Sequence, residues 1–246
     1  MERLMGLLEH PEDKVYTIHI AGTNGKGSIL AYVSTVLAAA GYKTGRYVSP
    51  TIRDYRERIQ VNGRMITKKA VAGLVEQIKN VCDAMVADGF PHPTVFEMET
   101  AMGFLYFKEM GCQIVVLETG LGGLLDATNV VKNTLVAAFA SISMDHMVIL
   151  GNTLSAIAEQ KAGIIKPGCS VVTGIQEPEV MEVLRKYAKD NDCDLIAADD
   201  RNATKVRYGI TKQQFDLLEE SVSMLFSKLN ALQNDPAILD RIRALE

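Results

Sequence analysis

The spacing of apolar and polar positions divides most of the chain into short alternating strands and helices. Residues 15–20 (VYTIHI) form a β-branched run that predicts a strand, and it ends in the glycine-rich turn from Gly22 to Gly27. Helical periodicity is expected over 28–40, closed by Gly41 as a C-cap, and a second strand over 43–48, halted at Ser49-Pro50. A helix is predicted over 65–87, with Thr67 as its N-cap and Val71, Leu74, Val75 and Ile78 on one face. After Pro91-His92-Pro93, helical spacing returns over 96–110. Residues 114–117 (IVVL) and 135–140 are apolar on both faces, as central strands of a parallel sheet covered by helices must be. Helices over 154–162 and 180–191 and strands over 170–173 and 194–197 continue the series. Strand–helix alternation predicts an α/β domain over residues 1–198, a P-loop-containing parallel sheet with helices on both faces.

Residues 199–246 read differently. Phe215, Leu218, Val222, Leu225, Leu229 and Leu232 recur at spacings of three and four, so a mainly helical C-terminal tail is expected. Its stripe is short of a convincing coiled coil. Packing on the domain and self-association, or contact with a partner chain, are both open to it.

Composition narrows the partners. Net charge is −4, apolar residues make up 48% and no long basic run occurs, which argues against nucleic acid and anionic membranes. Acidic substrates would need local cations. Cys82, Cys112, Cys169 and Cys193 form no CxxC pair, so a reducing compartment is the default. The first dozen residues carry acids and no long apolar core, unlike a signal peptide. No segment approaches the roughly 18 apolar residues of a spanning helix. A soluble, cytoplasmic protein is the expectation.

Chemistry concentrates at Gly22-Thr23-Asn24-Gly25-Lys26-Gly27-Ser28, where a predicted strand meets a helix. Glycines there let backbone N–H groups converge on an anion, and the helix N-terminus adds positive potential. Asn24, Gly25, Lys26, Gly27 and Ser28 are thus candidates for a nucleotide's phosphates, with Lys26 reaching the terminal ones. The spacing departs from the usual GxxxxGK[ST], because Gly27 separates the lysine from Ser28; a glycine-rich surface turn is the competing reading.

With HIAGTNGKGS read in full, the chain resembles the folylpolyglutamate/dihydrofolate synthase branch of the Mur ligase superfamily. Further motifs follow in the family's order: Tyr47-Val48-Ser49-Pro50, Glu57-Arg58-Ile59, Phe96-Glu97, then Leu117-Glu118-Thr119-Gly120-Leu121-Gly122-Gly123 and Asp126-Ala127-Thr128-Asn129. Asp145-His146 and Gln160-Lys161-Ala162-Gly163 complete the series. The resemblance implies a fold like the Mur ligase central domain and an ATP- and Mg²⁺-dependent ligase joining glutamate to a folate through an acyl phosphate. It assigns Ser49, Glu118 and His146 to metal, and places Lys161 where the family has a carbamylated lysine. Lys26, Lys161 and His146 then serve catalysis, and Phe96, Thr100 and Asp126 lie on the pterin side. Without the resemblance, His146 reads equally as a structural histidine and Lys161 as a solvated charge.

The match also has gaps. Leu124 stands where the family usually has arginine, and Thr51 where a histidine or another ring is common. Beyond the tail, the resemblance implies a second domain that this sequence does not contain, so weak ligation by the isolated chain is expected. A non-catalytic nucleotide-binding or interaction protein that keeps the ATPase scaffold is the alternative.

Overall fold

The computed structural model describes residues 1–198, together with the backbone of two further strands at 203–208 and 213–217. Two units are present, Met1–Ile196 and Ala197–Glu246.

After a short helix, Glu2–Leu7 (α1), the first strand is Tyr16–Ala21 (β1), buried along nearly its whole length. It feeds the helix Lys26–Ala39 (α2) and the strand Thr44–Tyr47 (β2). Helix α2 begins at Lys26, two residues before the predicted start, because Gly25 takes φ +90° and turns the chain directly into the first helical turn. A hairpin that sequence periodicity missed follows, Ile59–Val61 (β3) and Arg64–Met65 (β4), joined across Asn62-Gly63 with both residues at positive φ. Strands of three and two residues are too short to show a period of two. The predicted helix over 65–87 is therefore Lys68–Ala87 (α3), and Thr67 caps it by accepting from the Ala70 N–H. Thr94 and Glu97 form a capping box on Val95–Glu109 (α4).

Ile114–Glu118 (β5), Thr134–Phe139 (β6), Met147–Leu150 (α5), Leu154–Ala162 (α6), Ser170–Thr173 (β7), Pro178–Asp190 (α7) and Asp194–Ala197 (β8) complete the first unit. The eight-stranded sheet runs β4-β3-β2-β5-β1-β6-β7-β8. β2, β5, β1, β6 and β7 pair in parallel, and β3 and β4 add antiparallel strands at one edge. Winding outward from β1 in both directions places a topological switch point at its carboxyl end, the usual crevice for ligands in such sheets.

One apolar core lies beneath α1, α3 and α4, and a second beneath α6 and α7. Gly45 and Gly103 let α4 approach the sheet closely: a Cβ at Gly45 would meet the Phe107 ring at 2.7 Å, and one at Gly103 would meet Tyr47 at 3.0 Å. Cys169 and Cys193, distant in sequence, bring their thiols to 3.7 Å as free cysteines. No helix among the described residues is long and apolar enough to cross a membrane.

In the second unit, Ala203–Tyr208 (β9) and Gln213–Leu217 (β10) form an antiparallel pair. Phe215, the first residue of the expected helical stripe, is therefore in a strand. The rest of that stripe lies outside the described residues.

Candidate functional site

The parallel pairing of β1, β2, β5 and β6 brings their carboxyl ends to one rim, and with them Gly22, Ser49, Glu118 and Ser141. The turn after β1 is tied to the turn after β6. Thr23 N donates to Ser141 O at 2.7 Å, Ser141 Oγ donates to Asn24 O, and Thr23 Oγ1 bonds the backbone of Ser143. Gly22 is required by this closeness, since a Cβ there would stand 2.7 Å from the Ala140 methyl. The N-terminus of α2 has no side-chain cap, so its first-turn N–H groups face the mouth of the turn with the helix dipole behind them. Asn24, Gly25 and Ser28 are exposed there, and Lys26 and Gly27 are half-buried.

Two lysines meet at this turn. Lys26 Nζ donates to Gly22 O at 3.1 Å, and Lys161 Nζ, from α6, donates to the same oxygen at 2.9 Å. Lys161 is 3% exposed. Its burial first, and the Lys26 charge second, hold its pKa down to about 8 against an opposing pull from Asp145. The surface-charge reading of Lys161 is thereby excluded. The chain needs Gly123 to bring α6 this near, because a Cβ there would meet the Lys161 and Gln160 carbonyl oxygens at 2.7 and 2.8 Å. Leu124 continues the contact, its N–H donating to Gln160 O, and its side chain is half-exposed where the family's arginine is expected.

Glu118 ends β5 beside the α2 N-terminus, its Oε2 3.8 Å from where a Gly27 Cβ would sit. Burial raises its pKa, while Lys26, the Ser49 N–H and Arg46 pull the other way. Ser49 N lies 3.4 Å from Glu118 Oε2, and Ser49 Oγ is buried with no hydrogen-bond partner among the described residues. The turn after Ser49-Pro50, a cis peptide, is organised around Glu57, whose carboxylate accepts from the N–H groups of Ile52, Arg53 and Asp54.

His146 is placed less centrally. It precedes α5 in the left-handed region (φ 46°), exposed, with Nε2 3.7 Å from Asp145 Oδ2. Among the described residues it makes no ion pair with Glu118. A cluster with metal-ligand spacing, His10, Glu12 and Asp13, occurs before β1, at the opposite end of the strand.

On the far side of Glu118, Phe96 packs against Gly120, where a Cβ would stand 2.6 Å from the ring tip. Asp126 closes this turn: Oδ2 accepts from Leu121 N at 2.8 Å and Oδ1 from Thr128 N at 2.9 Å. Thr100 is buried, its hydroxyl donating to Phe96 O and accepting from Tyr47, so it shapes the wall from within. Arg58 is a residue that spacing alone did not single out. Its guanidinium lies 5.8 Å from both the Tyr47 and Phe96 ring centroids and 3.4 Å from Glu99, with Nε and Nη1 buried and unpartnered among the described residues. An arginine inside an ERI string has no periodic signature, and only the fold places it beside Phe96.

No family profile matches the chain. It is 46% identical over 190 residues to the dihydrofolate synthase/folylpolyglutamate synthase of Bacillus subtilis, covering 77% of this chain and 44% of that protein. It is 36% identical over 182 residues to the folylpolyglutamate synthase of Lacticaseibacillus casei, covering 74% and 42%. Among solved structures, a folylpolyglutamate synthase in complex with AMPPCP and folate superposes with a TM-score of 0.81 at 32% identity, over 86% of this chain and 52% of that one. The Mycobacterium tuberculosis folylpolyglutamate synthase with ADP gives 0.81 at 33% identity, over 87% and 49%. The chain thus spans about half the length of the curated relatives it matches. Over that span the chain shares the sequence and the fold of the folylpolyglutamate and dihydrofolate synthase family.

Proposed function

We propose that this chain carries the ATP-binding and carboxylate-activating site of a ligase that joins glutamate to a folate. The observation that carries the reading is the convergence of Lys26, Lys161, Glu118 and an unpartnered Ser49 hydroxyl around the uncapped N-terminus of α2. Relatives named for the same activity, and solved relatives holding AMPPCP or ADP, support it.

The amides of Asn24 to Ser28 bind the terminal phosphates, and Lys26 exchanges the Gly22 carbonyl for a phosphate oxygen. A divalent cation fits the residues present, because Ser49 Oγ is a buried oxygen without a partner and Glu118 supplies a carboxylate, both hard donors of the kind Mg²⁺ prefers. Ser49 and Glu118 would hold it, with His146 offered from the neighbouring loop. When bound, such an ion supplies positive charge where a carboxylate and a γ-phosphate must approach one another. The acceptor carboxylate attacks the γ-phosphorus, the bond to ADP breaks, and an acyl phosphate forms. The glutamate amine then attacks the acyl carbon, loses a proton, and inorganic phosphate leaves. On the acceptor side, Phe96 offers a ring face, Asp126 fixes the turn beneath it, and the Arg58 guanidinium adds positive charge beside that ring.

Lys161 suits carbamylation. With its pKa held down to about 8 by burial and the Lys26 charge, a far larger share of its amine is neutral near neutral pH than in an ordinary lysine. A neutral amine adds CO₂ and releases one proton, leaving an anion beside Lys26. A reducing cytoplasm suits the four free thiols.

The test is nucleotide binding followed by turnover. Lys26→Ala is expected to weaken Mg²⁺-dependent binding of a fluorescent ADP about tenfold or more, as loss of a charged hydrogen bond to phosphate should. ADP release that requires dihydropteroate or tetrahydrofolate together with glutamate should vanish in the same variant. Undiminished binding by Lys26→Ala would refute the site.

A further inference from the structure

His19 lies in the middle of β1, wholly buried, and the activation chemistry above makes no use of it. Its Nε2 is 2.8 Å from Thr128 Oγ1. The Thr128 hydroxyl in turn donates to Asp126 Oδ1, the oxygen that also accepts from the Thr128 N–H. A hydroxyl has one proton. With that proton committed to the carboxylate, Thr128 Oγ1 must accept from the ring, which fixes His19 as the Nε2–H tautomer. Burial first, and Lys166 second, hold the His19 pKa down to about 3, so the ring is neutral. Nδ1 is left buried without a partner among the described residues, a cost that an apolar residue in this strand would avoid. At the far end, Asp126 Oδ2 accepts from Leu121 N, and a Cβ on Gly120 would stand 3.2 Å from that oxygen and 2.6 Å from the Phe96 ring.

We propose that His19 is a positioning residue: its Nε2–H orients the Thr128 hydroxyl, which holds Asp126 and, through it, the Gly120-Leu121 turn against Phe96. Its consequence for substrate rests on the folate reading given above, whereas the relay itself belongs to the free chain. Holding a site residue through a buried hydrogen-bonded partner is the ordinary means by which proteins keep a binding group within a fraction of an ångström.

The experiment has two arms. In the ligand-free chain, nitrogen NMR of His19 should report the Nε2–H tautomer, unchanged between about pH 5 and 8 where an ordinary histidine titrates. Hydrogen exchange of the Leu121 amide should speed up about tenfold in His19→Leu and in Thr128→Val, and no further in the double variant. His19→Gln, whose amide can still donate, should stay within about threefold of the parent. In the second arm, His19→Leu should weaken dihydropteroate binding about tenfold and leave fluorescent ADP binding unchanged. An Nδ1–H tautomer, an unaltered Leu121 amide, or equal damage from Gln and Leu would overturn the relay. A parent chain that fails to bind dihydropteroate while every first-arm result holds would instead remove the substrate reading and leave the relay standing.

Discussion

The core beneath α4 and the rim at the carboxyl ends of the strands belong to the same sheet but follow opposite rules. Under α4, the Tyr47 and Thr100 hydroxyls pair at 3.1 Å, and glycines serve to let rings pack closely. At the rim, glycines let charges approach, and the charges are poorly matched. Two ammonium groups share one carbonyl oxygen, burial raises the pKa of a carboxylate, and a serine hydroxyl has no partner among the described residues. Such an arrangement costs stability in the free chain. An anion at the helix terminus and a cation at Ser49 and Glu118, as proposed above, would relieve it, and the rim would then be organised for its ligands more than for itself.

Substitutions should separate the two regions by both size and sign. Phe107→Ala empties a fully buried ring site that Gly45 and Gly103 are cut to fit, and should lower unfolding free energy by about 3–5 kcal/mol in urea denaturation. A loss under about 1 kcal/mol would mean that the site collapses freely and that the core is not close-packed. Gly123→Ala comes next. Its methyl would be forced against backbone carbonyls of α6, costing about 1–3 kcal/mol and displacing Lys161 from the Gly22 carbonyl. Nucleotide affinity should fall with it, and a stability loss with unchanged affinity would detach α6 from the site.

Glu118→Gln should be the smallest in stability and opposite in sign. The folded pKa of Glu118 is raised, so its favourable contribution is complete below the ordinary carboxylate value of 4.5 and is lost as pH rises through the folded value. The variant lacks that loss. It should be at least as stable as the parent at pH 7, with any difference growing above about pH 4.5. Mg²⁺-dependent nucleotide binding should nevertheless collapse. A variant markedly less stable than the parent at pH 7 would show that Glu118 supports the fold and would erase the contrast between core and rim.

Legibility in the sequence followed the range of the interactions. The central strands were readable because burial on both faces leaves an uninterrupted apolar run, as in Ile114 to Leu117. The glycine-rich turn was readable because glycines, a lysine and a hydroxyl lie consecutively between a strand and a helix. The β3–β4 hairpin and α5 escaped because they are too short to show a period. His19 was hidden inside the apolar string VYTIHI, and its partner Thr128 is 109 residues away. Thr100, assigned to the substrate side, is buried, with its hydroxyl bonded both to the Phe96 carbonyl of its own helix and to Tyr47.

By itself, then, the sequence determined the α/β alternation, the glycine-rich turn after β1 and the family, since each is encoded by neighbours along the chain. Tertiary structure alone decided that Lys161 is buried with its pKa pulled down, that Arg58 lies beside Phe96, and that His19 reaches Asp126 through Thr128. Those properties depend on desolvation and on distances between residues that only the folded sheet brings together, and no local pattern encodes either.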